Sequence, residues 1–186
     1  VEVGYELSLS WNAPMDVIVP RKIGAPFDPE MAIGAITEEG EVILDERFRS
    51  WELNEAHLKR ILEEEKKEIQ RRLALYRGGL PPLELKDRVL VLTDDGIATG
   101  STMKAAVLSA RAKSPKEVII AVPVASPEAV SLLEPLVSEI LVLDIPPYFM
   151  AVGQFYQDFT QTSDETVCQL LRESREKFKE RNERHA

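Results

Sequence analysis

Two adjacent acids, Asp94 and Asp95, lead into Gly96-Ile97-Ala98-Thr99-Gly100-Ser101-Thr102. The residue types divide into two chemistries. The acids repel a bare phosphate but suit sugar hydroxyls or a hydrated Mg2+ ion. Ala98 and Gly100 are small enough to let the backbone approach an anion closely. Thr99, Ser101 and Thr102 add hydroxyl donors. A helix opening here would turn its unpaired N–H groups and its partial positive charge toward a phosphate. A ligand with phosphate at one end and a diol or metal-bound group at the other satisfies both halves, and ribose 5-phosphate derivatives fit. Taken singly, Asp-Asp-Gly is ordinary turn chemistry and Ser/Thr an ordinary cap. Their combination at the end of a strand and the start of a helix points to a site.

The surrounding pattern supplies both elements. Residues 88–93 read as a near-continuous apolar strand, buried on both faces as in a parallel sheet. Met103, Ala106, Val107 and Ala110 repeat at helical spacing, predicting a helix over residues 101–113. Residues 117–124 and 140–145 are further strands. Between them Ser126, Pro127 and Glu128 read as N-cap, first helical proline and first-turn acid. Strands alternating with helices predict an α/β fold with a Rossmann-like parallel sheet, whose ligands bind beyond the strand carboxyl ends. Upstream, residues 16–20 are a short apolar run expected as a buried strand ending at the basic pair Arg21-Lys22. Residues 23–30, with one Gly and two Pro, read as loop. Residues 32–37 and 41–44 flank Glu38-Glu39-Gly40 as a β-hairpin. A helix over residues 53–76 carries Leu58, Ile61, Leu62, Ile69, Leu73 and Tyr76 in one stripe and i,i+4 ion pairs such as Glu68/Arg72 on its wet face. Residues 148–159 are aromatic and loop-like. Ser163 or Asp164 caps a last helix with Val167, Leu170, Leu171 and Phe178 on one side and Cys168 near its buried face.

Composition narrows the class. With 44% hydrophobic and 30% charged residues, the 186-residue chain can fill the core of one domain. A net charge of −9 argues against bulk nucleic-acid binding. No apolar run suits a membrane span. The single cysteine excludes an intrachain disulfide and fits a reducing, cytoplasmic setting. A P-loop needs a lysine after its second glycine, and Gly-x-Gly-x-x-Gly follows no predicted strand. His57 and His185 lie away from the motif and show no metal-ligand spacing, and Trp11 and Trp51 flank loops, consistent with either packing or an interface.

The run Val89-Leu-Val-Leu-Thr-Asp-Asp-Gly-Ile-Ala-Thr-Gly-Ser-Thr102 resembles the phosphoribosyl pyrophosphate (PRPP) signature of the type I phosphoribosyltransferases. Pro20-Arg-Lys-Ile-Gly-Ala-Pro26, Pro123-Val-Ala-Ser-Pro127 and Ala151-Val-Gly-Gln-Phe-Tyr-Gln-Asp158 resemble blocks of a less characterised branch, so the likeness covers nearly the whole chain. It implies one domain over residues 1–186, with a hairpin lid, a small hood around residues 146–162 and a C-terminal helix near 164–180. It also implies that the first core strand and the pyrophosphate loop lie before Val1. Asp94 and Asp95 would bind the ribose hydroxyls and Mg2+. Gly96 and residues 98–102 would wrap the 5-phosphate, and Arg21 and Lys22 would meet pyrophosphate. The region from residue 23 into the hairpin would close over the site, and the hood would recognise the acceptor. The implied reaction is Mg-dependent transfer of phosphoribose to a base or amide nitrogen. Ala98 stands where purine-salvage members carry an acid, so a hypoxanthine or guanine acceptor is disfavoured. Two other classes remain: a non-catalytic PRPP-binding regulatory module, and a Mg-dependent phosphohydrolase with Asp94 as nucleophile. The acceptor and any homo-oligomeric state stay open.

Overall fold

Branched and long aliphatic residues dominate the three segments that form the central sheet. In the computed structural model, which describes residues 1–25, 28–44 and 55–183, they are β4 (Val89–Leu92), β5 (Glu117–Val124) and β6 (Glu139–Asp144). The strands run parallel in the order β4-β5-β6. Leu92 sits opposite Ile120, and Val124 opposite Asp144, so the strand ends converge on the loop after β4. Helix α3 (Ser101–Ala112) follows that loop, and α4 (Pro127–Leu133) follows β5. Met103, Ala106, Val107 and Ala110 pack on Val118, Ile120 and Val122, with Ala129 and Leu133 closing the same core. Helix α4 starts as its sequence predicts: Ser126 Oγ accepts from Ala129 N at 3.0 Å, with Pro127 in the first turn.

A second, antiparallel sheet comprises β1 (Arg21–Ala25), β2 (Asp28–Ile36) and β3 (Val42–Leu44). The expected hairpin is present, with Glu38, Glu39 and Gly40 at its turn and a Gly40 N to Thr37 O bond of 3.0 Å. The sheet rests on α2 (Glu55–Arg77), where Ile69, Leu58, Ile61, Leu62 and Leu73 cover Ile23, Ile33 and Ile36. Helix α1 (Glu2–Trp11) packs on the last helix, α5 (Asp164–Glu183), through Tyr5, Val167 and Leu171. Ser163 is the residue that caps α5, accepting from Thr166 N at 3.2 Å. Cys168 is half-buried, its Sγ 3.5 Å from the Leu75 carbonyl.

Three expectations change. Residues 23–30 are not a loop, because β1 and β2 occupy described parts of that span. Register shifts beside Gly24 let the glycine enter a strand whose Ile23 is fully buried. Residues 16–20 form no ladder among the described residues. Their side chains still divide between two cores, Val17 and Val19 toward α2 and Ile18 toward α3. Alternation of apolar residues specifies burial, and here it does so without a paired neighbour. Strand β4 is not buried on both faces either. Val89 is 52% exposed and only Leu92 is fully covered, since β5 is its one ladder partner among the described residues. Trp11 is exposed, whereas Trp51, His185 and the His57 side chain lie outside what is described. No described helix is long and apolar enough to cross a membrane.

Candidate active site

The loop from Asp94 to Gly100 is held by the end of β5. Ile97 N donates to Val124 O at 3.0 Å, and Ser126 N donates to Ile97 O at 2.9 Å. The Ser126 hydroxyl adds a 2.6 Å bond to Ala98 O. Ser126 thus caps α4 and pins the loop with one side chain. Gly96 leaves no room for a side chain, because a Cβ there would lie 2.8 Å from methyl groups of both Val124 and Val152. Gly100 adopts φ 77, a left-handed geometry that glycine reaches without steric cost. It forms the N-cap of α3 and has no side chain to cap with, and Ser101 N makes only a long 3.5 Å bond to Thr99 Oγ1. The exposed hydroxyl residues Thr99 and Thr102 stand beside those N–H groups. A phosphate can therefore take the capping role.

The acids mark the opposite end of the loop. Asp94 Oδ1 accepts from Asp95 N at 3.0 Å, folding the Asp94 side chain back onto the loop backbone. Crowding by surrounding groups and the neighbouring Asp95 charge push the Asp94 carboxyl above the usual range, although the residue is exposed. Burial likewise raises Asp95. A closely spaced pair that resists full ionisation is relieved by a cation or by hydroxyl donors. No third His, Cys, Asp or Glu completes a metal-binding group among the described residues. Two carboxylates without a cage suit Mg2+, which keeps water and ligand oxygens in its shell.

Asp95 and Thr102 share a cavity of about 560 Å³ with Val17, Ile18, Val19, Pro20 and Phe159. The acid end and the helix end of the loop thus open into one space. Arg21 follows directly after Pro20, but its guanidinium is engaged elsewhere: Nε lies 2.6 Å from Glu65 Oε2 on α2. No hydrogen bond joins Arg21 to the acid pair among the described residues. Lys22 lies on β1, and its side chain is outside what is described.

The family model for the phosphoribosyl transferase domain matches residues 5–159. The chain belongs to this family. Two Mycobacterium tuberculosis proteins, of strains CDC 1551 / Oshkosh and H37Rv and provisionally named phosphoribosyl transferases, are 41% identical to it over 181 residues. These alignments cover 97% of this chain but 41% of each relative, so the chain spans about two fifths of their length. The crystal structure of TT1426 from Thermus thermophilus is 38% identical, with a TM-score of 0.76, over 90% of this chain and 79% of that one. The family's α/β fold, with its helix-flanked parallel core sheet, is therefore the fold of this chain.

Two residues near the site escaped the sequence reading. Tyr156 donates from its hydroxyl to the main-chain carbonyl of Asp95 at 2.5 Å. It belongs to an aromatic block visible in the sequence, but side-chain direction is not. Arg72 lines the same cavity while bonding Glu68 at 2.7 Å. The sequence pattern places it on the wet face of α2, but its spacing, three residues after Ile69 and four before Tyr76, sets it beside the apolar stripe.

Proposed function

We propose that this domain transfers a phosphoribosyl group from PRPP to a nitrogen acceptor, with release of pyrophosphate. The observation that carries the reading is the loop after β4: an acid pair at one end, a helix N-terminus with a glycine N-cap at the other, and one cavity lined by both Asp95 and Thr102. Asp94 and Asp95 bind the ribose 2- and 3-hydroxyls. The backbone of Gly96 and residues 98–102, with the Thr99, Ser101 and Thr102 hydroxyls, encloses the 5-phosphate. Arg21 and Lys22 meet the pyrophosphate once Arg21 leaves Glu65. Mg2+ held at Asp94 and Asp95 with ligand oxygens supplies charge neutralisation to the pyrophosphate.

The reaction breaks the bond from C1 of the ribose to pyrophosphate and forms one to the acceptor nitrogen, through a transition state resembling an oxocarbenium ion. Cations at the leaving group act where charge develops, while fixed donors at the 5-phosphate hold the ribose in position. The antiparallel sheet serves as lid, excluding water that would otherwise intercept the ribosyl carbon. Its Glu38-Glu39 turn is tied to α2 and α3 by ion pairs with Arg77 and Lys113. The segment after β6 forms the acceptor wall. Exposed Ala98 offers no charge to the acceptor, which favours acceptors other than hypoxanthine or guanine.

Incubating the protein with PRPP and Mg2+ against a panel of bases and amides, and measuring pyrophosphate, tests the proposal. Acceptor-dependent pyrophosphate release is expected. PRPP binding without turnover against any acceptor would favour a regulatory module, and release of inorganic phosphate would point to a phosphohydrolase.

A further inference from the structure

The loop carrying the acid pair is gripped from two sides. On the sheet side, β5 bonds the backbone of Ile97 and Ala98 through Val124 and Ser126. On the other side, residues 152–156 provide the contacts. Val152 meets Gly96 at a separation that excludes even a Cβ, and the Tyr156 hydroxyl lies 2.5 Å from Asp95 O. The carbonyls of Ile97 and Ala98 depend on the rigid sheet, whereas the Asp95 carbonyl depends on a side chain from an irregular segment.

That segment also faces the cavity. Tyr156 and Phe159 are in ring contact, their centroids 5.3 Å apart. Phe159 covers Gly153, where a Cβ would approach the ring to 2.9 Å. Phe159 then lines the cavity together with Asp95 and Thr102. A molecule seated against Phe159 is thus connected through the Tyr156 ring and hydroxyl to the backbone that aims Asp95.

We infer that Tyr156 is a positioning residue that couples the acceptor wall to the ribose diol, holding the Asp95 backbone in its binding geometry while residues 152–159 are seated. The inference rests on the phosphoribosyl reading above and deepens it. Ligand contact with Asp95 favours the seated segment, and the seated segment favours ligand contact, as reciprocity requires. Pyrophosphate without Mg2+, which uses neither the diol nor an ion held at Asp95, lies outside this coupling.

Tyr156→Phe removes one oxygen and keeps the ring, so it separates the hydroxyl bond from packing. Isothermal titration with PRPP and Mg2+ is expected to show a Kd about fivefold to tenfold higher than wild type, the effect of one lost hydrogen bond. The Kd for pyrophosphate without Mg2+ should stay within about twofold. Amide hydrogen exchange adds a reading that simple destabilisation would not give: PRPP should slow exchange across residues 152–159 in wild type, and do so much less in the variant. An unchanged PRPP Kd with unchanged protection would overturn the inference and leave the phosphoribosyl reading intact. Equal weakening of PRPP and pyrophosphate would also overturn it, by showing general damage to the site. Wild-type protein that binds no PRPP would remove the underlying reading, and this inference with it.

Discussion

Arg21 Nε lies 2.6 Å from Glu65 Oε2, an ion pair that joins β1 to α2. In the proposed reaction Arg21 meets pyrophosphate, which makes Glu65 its competitor. A partly exposed pair of this kind contributes about 0.2–1 kcal/mol. Glu65→Gln should therefore tighten pyrophosphate binding by about 1.5- to fivefold. Arg21→Ala should raise the Kd for pyrophosphate more than the Kd for ribose 5-phosphate. Both are read by titration calorimetry, and equal losses for the two ligands in Arg21→Ala would contradict the leaving-group role.

Asp95→Asn separates function from stability. A hydrogen bond to a charged group contributes about 1.5–3 kcal/mol, so PRPP affinity should fall by roughly tenfold to a hundredfold. Without ligand the opposite pressure acts. Burial raises the Asp95 pKa, so the ionised carboxylate opposes folding at neutral pH. The neutral amide should leave Tm unchanged or raise it. Thermal unfolding alongside PRPP titration checks both signs, and unchanged PRPP affinity would sink the ribose assignment.

Much of this fold is legible where one local signal dominates. Strand β5 occupies the span its apolar residues predict, and Ser126-Pro127-Glu128 starts α4 by local chemistry alone. The candidate loop is equally readable, since its acids, small residues and hydroxyls are contiguous. The misreadings share a cause. Gly24 and Pro26 suggest a loop, yet register shifts carry Gly24 within β1. Residues 16–20 have the composition of a strand, but pairing depends on a neighbour the local pattern does not specify. Glu38 and Glu39 read as turn residues, and only the folded chain brings Arg77 and Lys113 to them. Tyr156 was visible as an aromatic residue, but its bond to Asp95 spans 61 positions.

Gly96→Ala probes the grip on the loop by volume instead of charge. The added Cβ would meet Val124 and Val152 methyl groups at 2.8 Å and the Val124 carbonyl at 3.1 Å. The valine of the irregular segment can yield more readily than strand β5, so Val152 should be displaced. Overpacking of this kind costs about 1–3 kcal/mol. Urea denaturation should show that loss, and hydrogen exchange should rise across residues 152–156. Faster exchange in β5 with residues 152–156 unchanged would mean that the strand yields instead.

The turn of the antiparallel sheet gives a pH prediction. Glu38 is buried, with Oε2 3.1 Å from the Arg77 guanidinium and Oε1 accepting from Lys113. Arg77 also bonds Asp16 at 3.1 Å. Lys113 pairs with Glu39 at 2.8 Å, and the Ser109 hydroxyl donates to Glu39 at 2.6 Å. Burial would raise the Glu39 pKa, but bonds from Lys113 and Ser109 outweigh it and hold the carboxyl below its usual range. Its contribution is therefore present above the ordinary carboxylate pKa and lost as pH falls through the lowered folded value. Burial pulls Lys113 down, but Glu38 and Glu39 outweigh that and raise it. Its contribution is full below the ordinary lysine pKa and lost as pH rises through the raised folded value. Unfolding free energy from these groups should stay level through neutral pH and fall at both extremes. Lys113→Met removes the alkaline fall and weakens the acid one, because Glu39 loses its main partner. Glu38→Gln removes one carboxylate partner each from Arg77 and Lys113, which keep Asp16 and Glu39, and should cost about 1.5–3 kcal/mol at neutral pH. Urea unfolding from about pH 3 to about pH 11 measures all three proteins. Coincident profiles for wild type and Lys113→Met would show that the cluster does not anchor the sheet.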